Sequence, residues 1–425
     1  MSVAFASPPR LAVRTVELRD RRPLLSHLPA AAPLCWLRGG DGLVAWGEAA
    51  RLELPAEGAS DGVRRFSEAA RLLRGLFADA EVDDAVDLPG TGPVAFASFT
   101  FDARSNGSVL VVPSVVAGRR GGHTWLTTIG GHRPGSHPHP GALTAPGAPL
   151  RPVGPLTWGP GSLTAEEWCG AVGAAVDRIR GGGLGKAVLA RDAFADAERA
   201  IDPRTLLGRL AAAHPECYTF AVDGLVGATP ELLLRRDGDR VESLVLAGTR
   251  RRGATVEEDA ALAEDMLSSA KDGEEHRFAV ESLRAALGPL ATEVVAPAEP
   301  ELLRLANVQH LASPASAELR PGVSTLDAVA ALHPTAAVGG TPTAEAVELI
   351  RELEGMDRGR YAGPVGWIDA RGRGEWAIAL RCAHVSGSRA RLFAGCGIVA
   401  GSEPQAELAE ADSKFRVMAE ALTDR

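Results

Sequence analysis

Short apolar runs separated by glycine, proline and aspartate fill the first part of the chain, and they restrict it to a fold rich in β-strands. Five such runs lie between Leu34 and Ile129, with the sequences LCWLRG, GLVAWGE, PVAFASFTF, SVLVVPSVVAG and TWLTTIG. Runs of this length and punctuation are typical of strands joined by tight turns. One stretch, residues 65–77, places its apolar residues at helical spacing and predicts a helix.

A segment dense in proline and glycine, residues 130–155, has no hydrophobic periodicity and predicts an exposed loop. It separates a β-rich half, residues 1–155, from a second half, residues 156–425. Because both halves carry strand patterns, we expect them to build a single unit, residues 1–425, from which the segment is an excursion.

The second half mixes helices with strands. Thr164 is typical of a helix N-cap and Gly181 of a helix end, and a strand starts at Lys186. Further helices are predicted over residues 256–287 and about 404–422, and the sequence EWAIALRCAHV predicts one continuous strand. Strands in hairpins with helices between them favour an α+β fold over a doubly wound parallel sheet.

Composition excludes several classes of function. The 425 residues carry a net charge of −9, so a nucleic-acid partner is not expected. The five cysteines lack any C-x-x-C spacing and predict buried thiols in a reducing compartment. The chain starts without a recognisable signal peptide and has no apolar run long enough for a transmembrane helix, so we expect a cytoplasmic protein without a membrane partner.

Two predicted helices each carry a pair of carboxylates three residues apart. Asp272 and Glu275 form the first pair, and Glu407 and Glu410 form the second. Residues at this spacing share one helix face. Two such faces could hold one hard cation, and a donor set made only of oxygen favours Mg²⁺ over zinc. The same spacing is also common on solvated helix faces.

Arg381 is surrounded by small residues on one face of a predicted strand. In the predicted strand EWAIALRCAHV it alternates with Ala377, Ala379 and Ala383. Alanines let a ligand approach the backbone, and a guanidinium can grip a carboxylate with two hydrogen bonds. A structural arginine beneath a helix is the alternative.

Two further side chains adjoin apolar strand residues and could be displaced in pKa. Lys186 opens a strand, where burial could lower its pKa enough for a general base, although a lysine at a strand end can also reach solvent. Glu231 precedes the run LLL, where a raised pKa would suit a general acid, or it could be an exposed edge residue. A phosphate-binding loop before Lys186 is excluded, because Arg180 and Ala187 occupy positions that need glycine and Ser or Thr.

A series of motifs follows in one order between Lys186 and Lys414. They are K-A-V-L-A-R, G-A-T-P-E-L-L, L-A-G-T-R-x-R-G, S-x-K-D-x-x-E-H, N-V-Q-H-L, L-H-P-T-A-A-V-G-G, R-G-x-Y-A-G-P-V-G-W, A-L-R-C-A, A-G-C-G-I-V and A-E-L-x-E-x-x-x-K. This series resembles the chorismate-utilising enzymes. The earlier sequences WLRGGDGLVAWGEAARLE and LPGTGPVAFASFTFD resemble the isochorismate synthase branch.

The resemblance implies a set of site residues and a fold. It implies two mainly antiparallel β-sheets packed on each other, with helices outside and the site between the sheets. The implied roles are magnesium ligation by Glu275 and Glu410 with Glu407 and Asp272 beside them, substrate binding by Gly248, Thr249, His310, Tyr361, Arg381, Gly395, Gly397 and Lys414, and catalysis by Lys186 and Glu231.

The resemblance also implies an activity. Lys186 would activate water for attack at C2 of chorismate, and Glu231 would protonate the departing C4 hydroxyl, which yields isochorismate. A lysine at position 186 implies water as the nucleophile, so no amidotransferase partner is expected, and family habit implies a monomer. Two alternatives stay open: a salicylate synthase, which also eliminates pyruvate, and a non-catalytic chorismate-binding protein.

Overall fold

The structure is a computed structural model that describes residues 10–58, 62–131, 149–304 and 308–424. Within these ranges the side chains of Thr249, Lys271 and Glu275 are not described. Residues 132–148 of the predicted proline- and glycine-rich loop lie outside the described residues.

The strands of the described residues run in chain order as follows: β1 (Leu11–Glu17), β2 (Leu34–Arg38), β3 (Asp41–Trp46), β4 (Ala50–Leu54), β5 (Glu81–Asp84), β6 (Val94–Ser98), β7 (Ser108–Val112), β8 (Val115–Arg120), β9 (His123–Gly131), β10 (Leu156–Pro160), β11 (Lys186–Ala197), β12 (Tyr218–Val222), β13 (Leu225–Thr229), β14 (Leu232–Asp237), β15 (Arg240–Arg251), β16 (Ala291–Val295), β17 (Glu301–Arg304), β18 (Val308–Leu319), β19 (Gly340–Thr341), β20 (Pro364–Asp369), β21 (Gly374–Ile378), β22 (Cys382–Ser386) and β23 (Arg389–Ile398).

The α-helices of the same ranges are α1 (Arg64–Ala78), α2 (Ala165–Arg180), α3 (Pro203–Ala213), α4 (Val256–Ser268), α5 (Ala270–Leu287), α6 (Thr325–Leu332), α7 (Thr343–Leu353) and α8 (Pro404–Leu422). None of these helices is long and apolar enough to span a membrane.

The strands of the described residues form two large sheets. The first has thirteen strands in the order β10-β11-β23-β22-β13-β12-β2-β3-β8-β9-β1-β5, with β19 paired to β11. The second has ten strands in the order β16-β18-β15-β14-β21-β20-β6-β7-β4, with β17 paired to β18. Neighbours are antiparallel except for β1 and β5. This architecture confirms the predicted α+β fold of two mainly antiparallel sheets.

The two sheets share a core, and both halves of the chain contribute strands to each. The largest buried cluster contains Trp36 and Phe220 from the first sheet and Phe96 and Trp376 from the second, each at most 1% exposed. Packing of the two inner faces therefore removes large aromatic side chains from water, the dominant favourable term in such a fold.

The ends of helix α2 follow the local sequence closely. The Thr164 side chain caps α2 and forms a reciprocal capping box with Glu167, and Gly181 ends that helix, as predicted. The predicted helix over 256–287 is in fact two helices, α4 and α5. The break lies at Ser269, whose extended backbone lets its hydroxyl accept a hydrogen bond from the amide of Asp272.

The predicted strand EWAIALRCAHV is also two strands, because the chain leaves one sheet and enters the other. β21 belongs to the second sheet and β22 to the first, and Arg381 lies at the crossing with a φ of +48°. A left-handed backbone is uncommon for a residue with a side chain, and it interrupts the strand alternation that the sequence suggested. The neighbouring pair β13 and β14 crosses in the opposite direction at Glu231.

A buried carboxylate ties the two sheets together. Glu375 of β21 accepts hydrogen bonds from the indole of Trp36 at 2.7 Å, from Arg120 at 3.1 Å and from Arg235 at 3.1 Å. Burial alone would raise the pKa of Glu375, but the two arginines outweigh it and hold the pKa below its ordinary value. Trp36 and Arg120 come from the first sheet, so Glu375 joins the sheets by charge-assisted hydrogen bonds.

We expect Glu375→Ala to lower the free energy of unfolding by about 3 kcal/mol, because it leaves Arg120, Arg235 and the Trp36 indole without their acceptor. The matched control is Glu242→Ala, which removes an exposed carboxylate 3.7 Å from the same Arg235 and should cost less than about 1 kcal/mol. Denaturant unfolding of both variants measures the difference. Equal losses would contradict the role assigned to Glu375.

Candidate active site

The two chain crossings bring Glu231 and Arg381 together between the sheets. The amide of Ala228 donates to the carbonyl of Arg381 at 3.2 Å, and the amide of Ile378 donates to the carbonyl of Glu231 at 3.1 Å. These bonds hold the crossings side by side where the strand ladders are interrupted. Glu231 and Arg381 therefore lie where the chain changes sheets and do not continue either ladder.

Glu231 lies among three cations, Lys186, Arg381 and Lys414, and we call the surroundings of these four side chains the recess. Glu231 as a whole is partly exposed, but its carboxyl group is buried, and this burial raises its pKa to about 7. Lys186, Arg381 and Lys414 act in the opposite direction, which places all three within electrostatic range of this carboxyl. Glu231 is therefore poised to hold or release a proton near neutral pH.

Arg381 presents an unengaged guanidinium to the same recess. Among the described residues no hydrogen-bond or ion-pair partner for its side chain is found. Burial lowers the pKa of Arg381, while the nearby Tyr361 hydroxyl, Glu410 and Glu231 act against that shift. A recessed guanidinium without a protein partner is suited to bind a carboxylate from a ligand.

Tyr361 is held beside Arg381 by an aromatic stack. Its ring lies on that of Phe393, with centroids 5.1 Å apart and planes 9° apart. Burial raises the pKa of Tyr361, so its hydroxyl is neutral and can donate a hydrogen bond.

Helix α8 packs against strand β23 of the first sheet and carries Lys414 to the recess. The Lys414 ammonium donates to the carbonyl of Gly395 in β23 at 2.7 Å and forms an ion pair with Glu410, also at 2.7 Å. Glu410 and Glu407 share the face of α8 that carries Lys414, and the Glu410 side chain is about half exposed. A ligand in the recess would thus meet one ammonium and one solvent-accessible carboxylate from the same helix.

The second sheet contributes His310 and a bulge at Gly248. Burial, assisted by the charges of Arg381 and Lys414, lowers the pKa of His310 to about 4. Its Nδ1 donates to the carbonyl of Gly248 at 3.3 Å, and because of the low pKa the imidazole is neutral at physiological pH. Gly248 has a φ of +78°, and the β15–β18 register shifts there, which opens the ladder at the site.

Asp272 lies directly beneath the Gly248 bulge but is already paired. It is buried and accepts a hydrogen bond from Arg250 at 2.7 Å. Among the described residues no cluster of three or more metal-ligating side chains is found. The side chains of Glu275 and Thr249, both predicted at this site, lie outside the described residues.

Sequence reasoning missed two residues that shape the second-sheet side of the site. Arg250 neutralises Asp272, and His276 donates from Nδ1 to the carbonyl of Ala247 at 3.3 Å beside the bulge. The signal was present, since Arg250 and His276 both fall inside the quoted motifs next to Thr249 and Glu275.

A separate cavity of about 330 Å³ is lined in part by Tyr361 and Phe393. Its arginines differ from Arg381 because acidic side chains engage them. Arg51 and Arg360 both pair with Asp223, at 3.0 and 3.3 Å. This cavity is therefore a structural ion-pair cluster, whereas the recess at Glu231 retains a cation for a ligand.

Known proteins match this chain over most of its length. The sequence profile of a family described as chorismate binding enzyme matches residues 157–423. The chain belongs to the chorismate-binding enzyme family.

Individual relatives agree with this membership. A Mycobacterium tuberculosis protein named as an isochorismate synthase is 40% identical over 370 residues, which cover 83% of this chain and 92% of the relative. The isochorismate synthase MenF of Bacillus subtilis is 39% identical over 264 residues, which cover 61% of this chain and 56% of that protein.

A solved structure from Bacillus anthracis, described as a 2,3-dihydroxybenzoate-specific isochorismate synthase, superposes with a TM-score of 0.75. It is 32% identical, and the match covers 94% of this chain and 98% of that one. The menaquinone-specific isochorismate synthase of Escherichia coli has the same fold, with a TM-score of 0.81 at 24% identity, over 98% of this chain and 95% of that one.

The raised pKa of Glu231 makes a prediction about stability. The unfolded carboxyl loses its proton near its ordinary pKa of 4.5, whereas the folded one keeps it until about pH 7. Between these values rising pH favours the unfolded state, at about 1.4 kcal/mol per pH unit. Glu231→Gln has no carboxyl to titrate and does not lose stability in this way. From about pH 5 to pH 8, its free energy of unfolding should therefore rise by about 2 kcal/mol relative to that of the wild type.

The exposed Glu242→Gln is the control and should follow the wild-type stability curve at every pH. Parallel curves for the wild type and Glu231→Gln would show that Glu231 has an ordinary pKa and would contradict the assignment.

Proposed function

We propose that this protein is an isochorismate synthase that converts chorismate to isochorismate. The observation that carries the proposal is the pairing, in one recess, of an acid with a pKa of about 7, Glu231, and a lysine within its electrostatic range, Lys186. Membership of the chorismate-binding family and the names of the relatives support the substrate and the reaction.

Charge explains how an acidic protein would accept this substrate. Chorismate is a dianion, and the net charge of the chain is −9. Arg381 and Lys414 offset the substrate charge locally, and the recess strengthens their attraction because it holds less water than bulk solvent. The unengaged guanidinium of Arg381 would bind the enolpyruvyl carboxylate. The Tyr361 hydroxyl and the backbone of Gly395 and Gly397 would lie beside that carboxylate.

The proposed chemistry exchanges one hydroxyl for another across the ring. Lys186 is the proposed base and takes a proton from the water that attacks C2. Glu231, as the neutral acid, gives a proton to the C4 hydroxyl as it leaves with the C–O bonding electrons, while the ring double bond shifts. A carboxyl with a pKa near 7 is partly protonated at physiological pH, which is the state that this step needs.

The side chains that the proposal assigns to the metal favour magnesium. The described members, Asp272, Glu407 and Glu410, offer only carboxylate oxygens, the ligands that this hard cation prefers. Glu410, together with Glu275, would hold the ion, with Glu407 and Asp272 beside them and Gly248 and Thr249 approaching the ring carboxylate. Bound magnesium would supply positive charge next to that carboxylate. Neutral His310 adds no competing charge there.

The proposal extends to partners and location. Lys186 supplies a base for water, so no amidotransferase subunit is required, and we propose a cytoplasmic monomer that acts on a small-molecule substrate.

The direct test is incubation of the purified protein with chorismate and Mg²⁺, followed by chromatography with mass detection. We expect a mixture of chorismate and isochorismate that settles at a constant ratio. Lys186→Ala and Glu231→Gln should each lower kcat by about 10²- to 10⁴-fold, because each removes one proton-transfer group. Removal of Mg²⁺ by a chelator should stop turnover, and added Mg²⁺ should restore it.

Glu242→Gln serves as the control and should retain wild-type kcat. Salicylate with stoichiometric pyruvate would identify a salicylate synthase instead. Unchanged chorismate with metal present would refute the enzyme and favour a binding protein.

Arg381→Lys should raise KM for chorismate by about tenfold or more, because a lysine keeps the charge but cannot form two parallel hydrogen bonds with a carboxylate. Arg371→Lys, which alters an exposed arginine, is the matched control. An unchanged KM in the Arg381 variant would place the carboxylate of the substrate elsewhere.

A further inference from the structure

Lys186 begins β11, and the sheet holds the chain on both sides at the next residue. β19 pairs with Lys186 and Ala187 on one side, and β23 pairs with β11 from Ala187 onward on the other. In β19, a Cβ on Gly340 would lie 2.2 Å from the Lys186 carbonyl oxygen, so only glycine permits this close pairing. The backbone of Lys186 therefore has little freedom.

The side chain of Lys186 lies across Gly397 of β23. A Cβ added to Gly397 would be 2.6 Å from Lys186 Cε, 3.3 Å from Nζ and 3.9 Å from Cδ. The three nearest atoms thus all belong to Lys186. Gly397 has no left-handed backbone that would by itself require glycine. Glycine is needed at position 397 because the Lys186 side chain fills the space that a larger residue would occupy.

Gly395, two residues earlier on the same face, is constrained in a different way. Its added Cβ would lie 2.7 Å from the backbone carbonyl oxygen of Leu189. Any side chain at 395 would therefore press on the β11 backbone, whereas a side chain at 397 would press on the flexible end of one lysine. The two glycines of the A-G-C-G-I-V motif have separate structural roles.

We propose that Gly397 is a positioning residue for Lys186: its bare backbone is the surface on which the lysine lies, so that the amine points toward Glu231. This inference rests on the proposed function, in which Lys186 is the base. An ordinary carbon–carbon contact needs roughly 1 Å more room than Gly397→Ala would leave. A displacement of about 1 Å at a reacting group can cost about 10²-fold in rate.

The main alternative is that Gly397 serves only to bring its backbone close to the substrate. The two roles differ in kinetics. Loss of a backbone contact with bound substrate would raise KM, whereas displacement of the base would lower kcat and leave KM nearly unchanged.

The experiment compares Gly397→Ala with Gly401→Ala, a nearby glycine whose added Cβ would meet nothing within 4 Å. We expect kcat of Gly397→Ala to fall about 10²-fold with KM changed less than about threefold, and Gly401→Ala to match the wild type. In the Lys186→Ala background, adding Gly397→Ala should cause no further loss of kcat, since the two changes act through the same amine.

A second readout does not depend on turnover. Acetic anhydride labelling with mass detection measures the reactivity of Lys186, with Lys414 as the internal reference. We expect Gly397→Ala to expose Lys186 and raise its labelling rate while that of Lys414 is unchanged. If Gly397→Ala unfolds, the double variant Lys186→Ala/Gly397→Ala should recover stability, because the clashing atoms are removed.

Wild-type kcat and labelling in Gly397→Ala would overturn the inference, as would a raised KM alone or additive losses in the double variant. If the wild-type protein leaves chorismate unchanged, the proposed function fails, and the labelling experiment still decides whether Gly397 positions Lys186.

Discussion

Two backbone hydrogen bonds, between Ala228 and Arg381 and between Ile378 and Glu231, join the places where the chain passes between the two sheets. At these places the ladders of both sheets are interrupted, and polar side chains can enter an interior that is otherwise close-packed and apolar. The site depends on this junction, because it sets an acid and an unengaged arginine side by side. At this junction the backbone of Arg381 adopts a left-handed conformation, which is uncommon for a residue with a side chain.

The protein separates structural charges from those available to a ligand. Arg120, Arg235 and Arg250 are each hydrogen-bonded to a buried carboxylate, which compensates the cost of removing both charges from water. Arg381 lacks such a partner among the described residues. An unpaired charge in a recess destabilises the free protein, and an anionic substrate would relieve that cost on binding.

Local sequence signals predicted the elements well where local physics decides them. Thr164 and Gly181 mark the ends of α2, and the last helix spans 404–422 as expected. The errors occurred where tertiary context overrides the pattern. Alternation in EWAIALRCAHV is real on each side of Arg381, but periodicity has no signal for a change of sheet. Ser269 divided a helix because its capping hydroxyl competes with helix continuation, and that residue type is also tolerated inside helices.

The sequence by itself determined the fold class, the family resemblance and the identities of the chemical groups, because strand punctuation, helix caps and ordered motifs are local properties. Tertiary structure alone decided what those groups can do. The pKa of Glu231 depends on water removed by residues from both sheets and on cations from β11, α8 and the β21–β22 crossing. Likewise, the contact between Gly397 and the Lys186 side chain exists only because β23 pairs with β11. Burial and charge proximity arise between segments that are distant in the chain, so no local pattern specifies them.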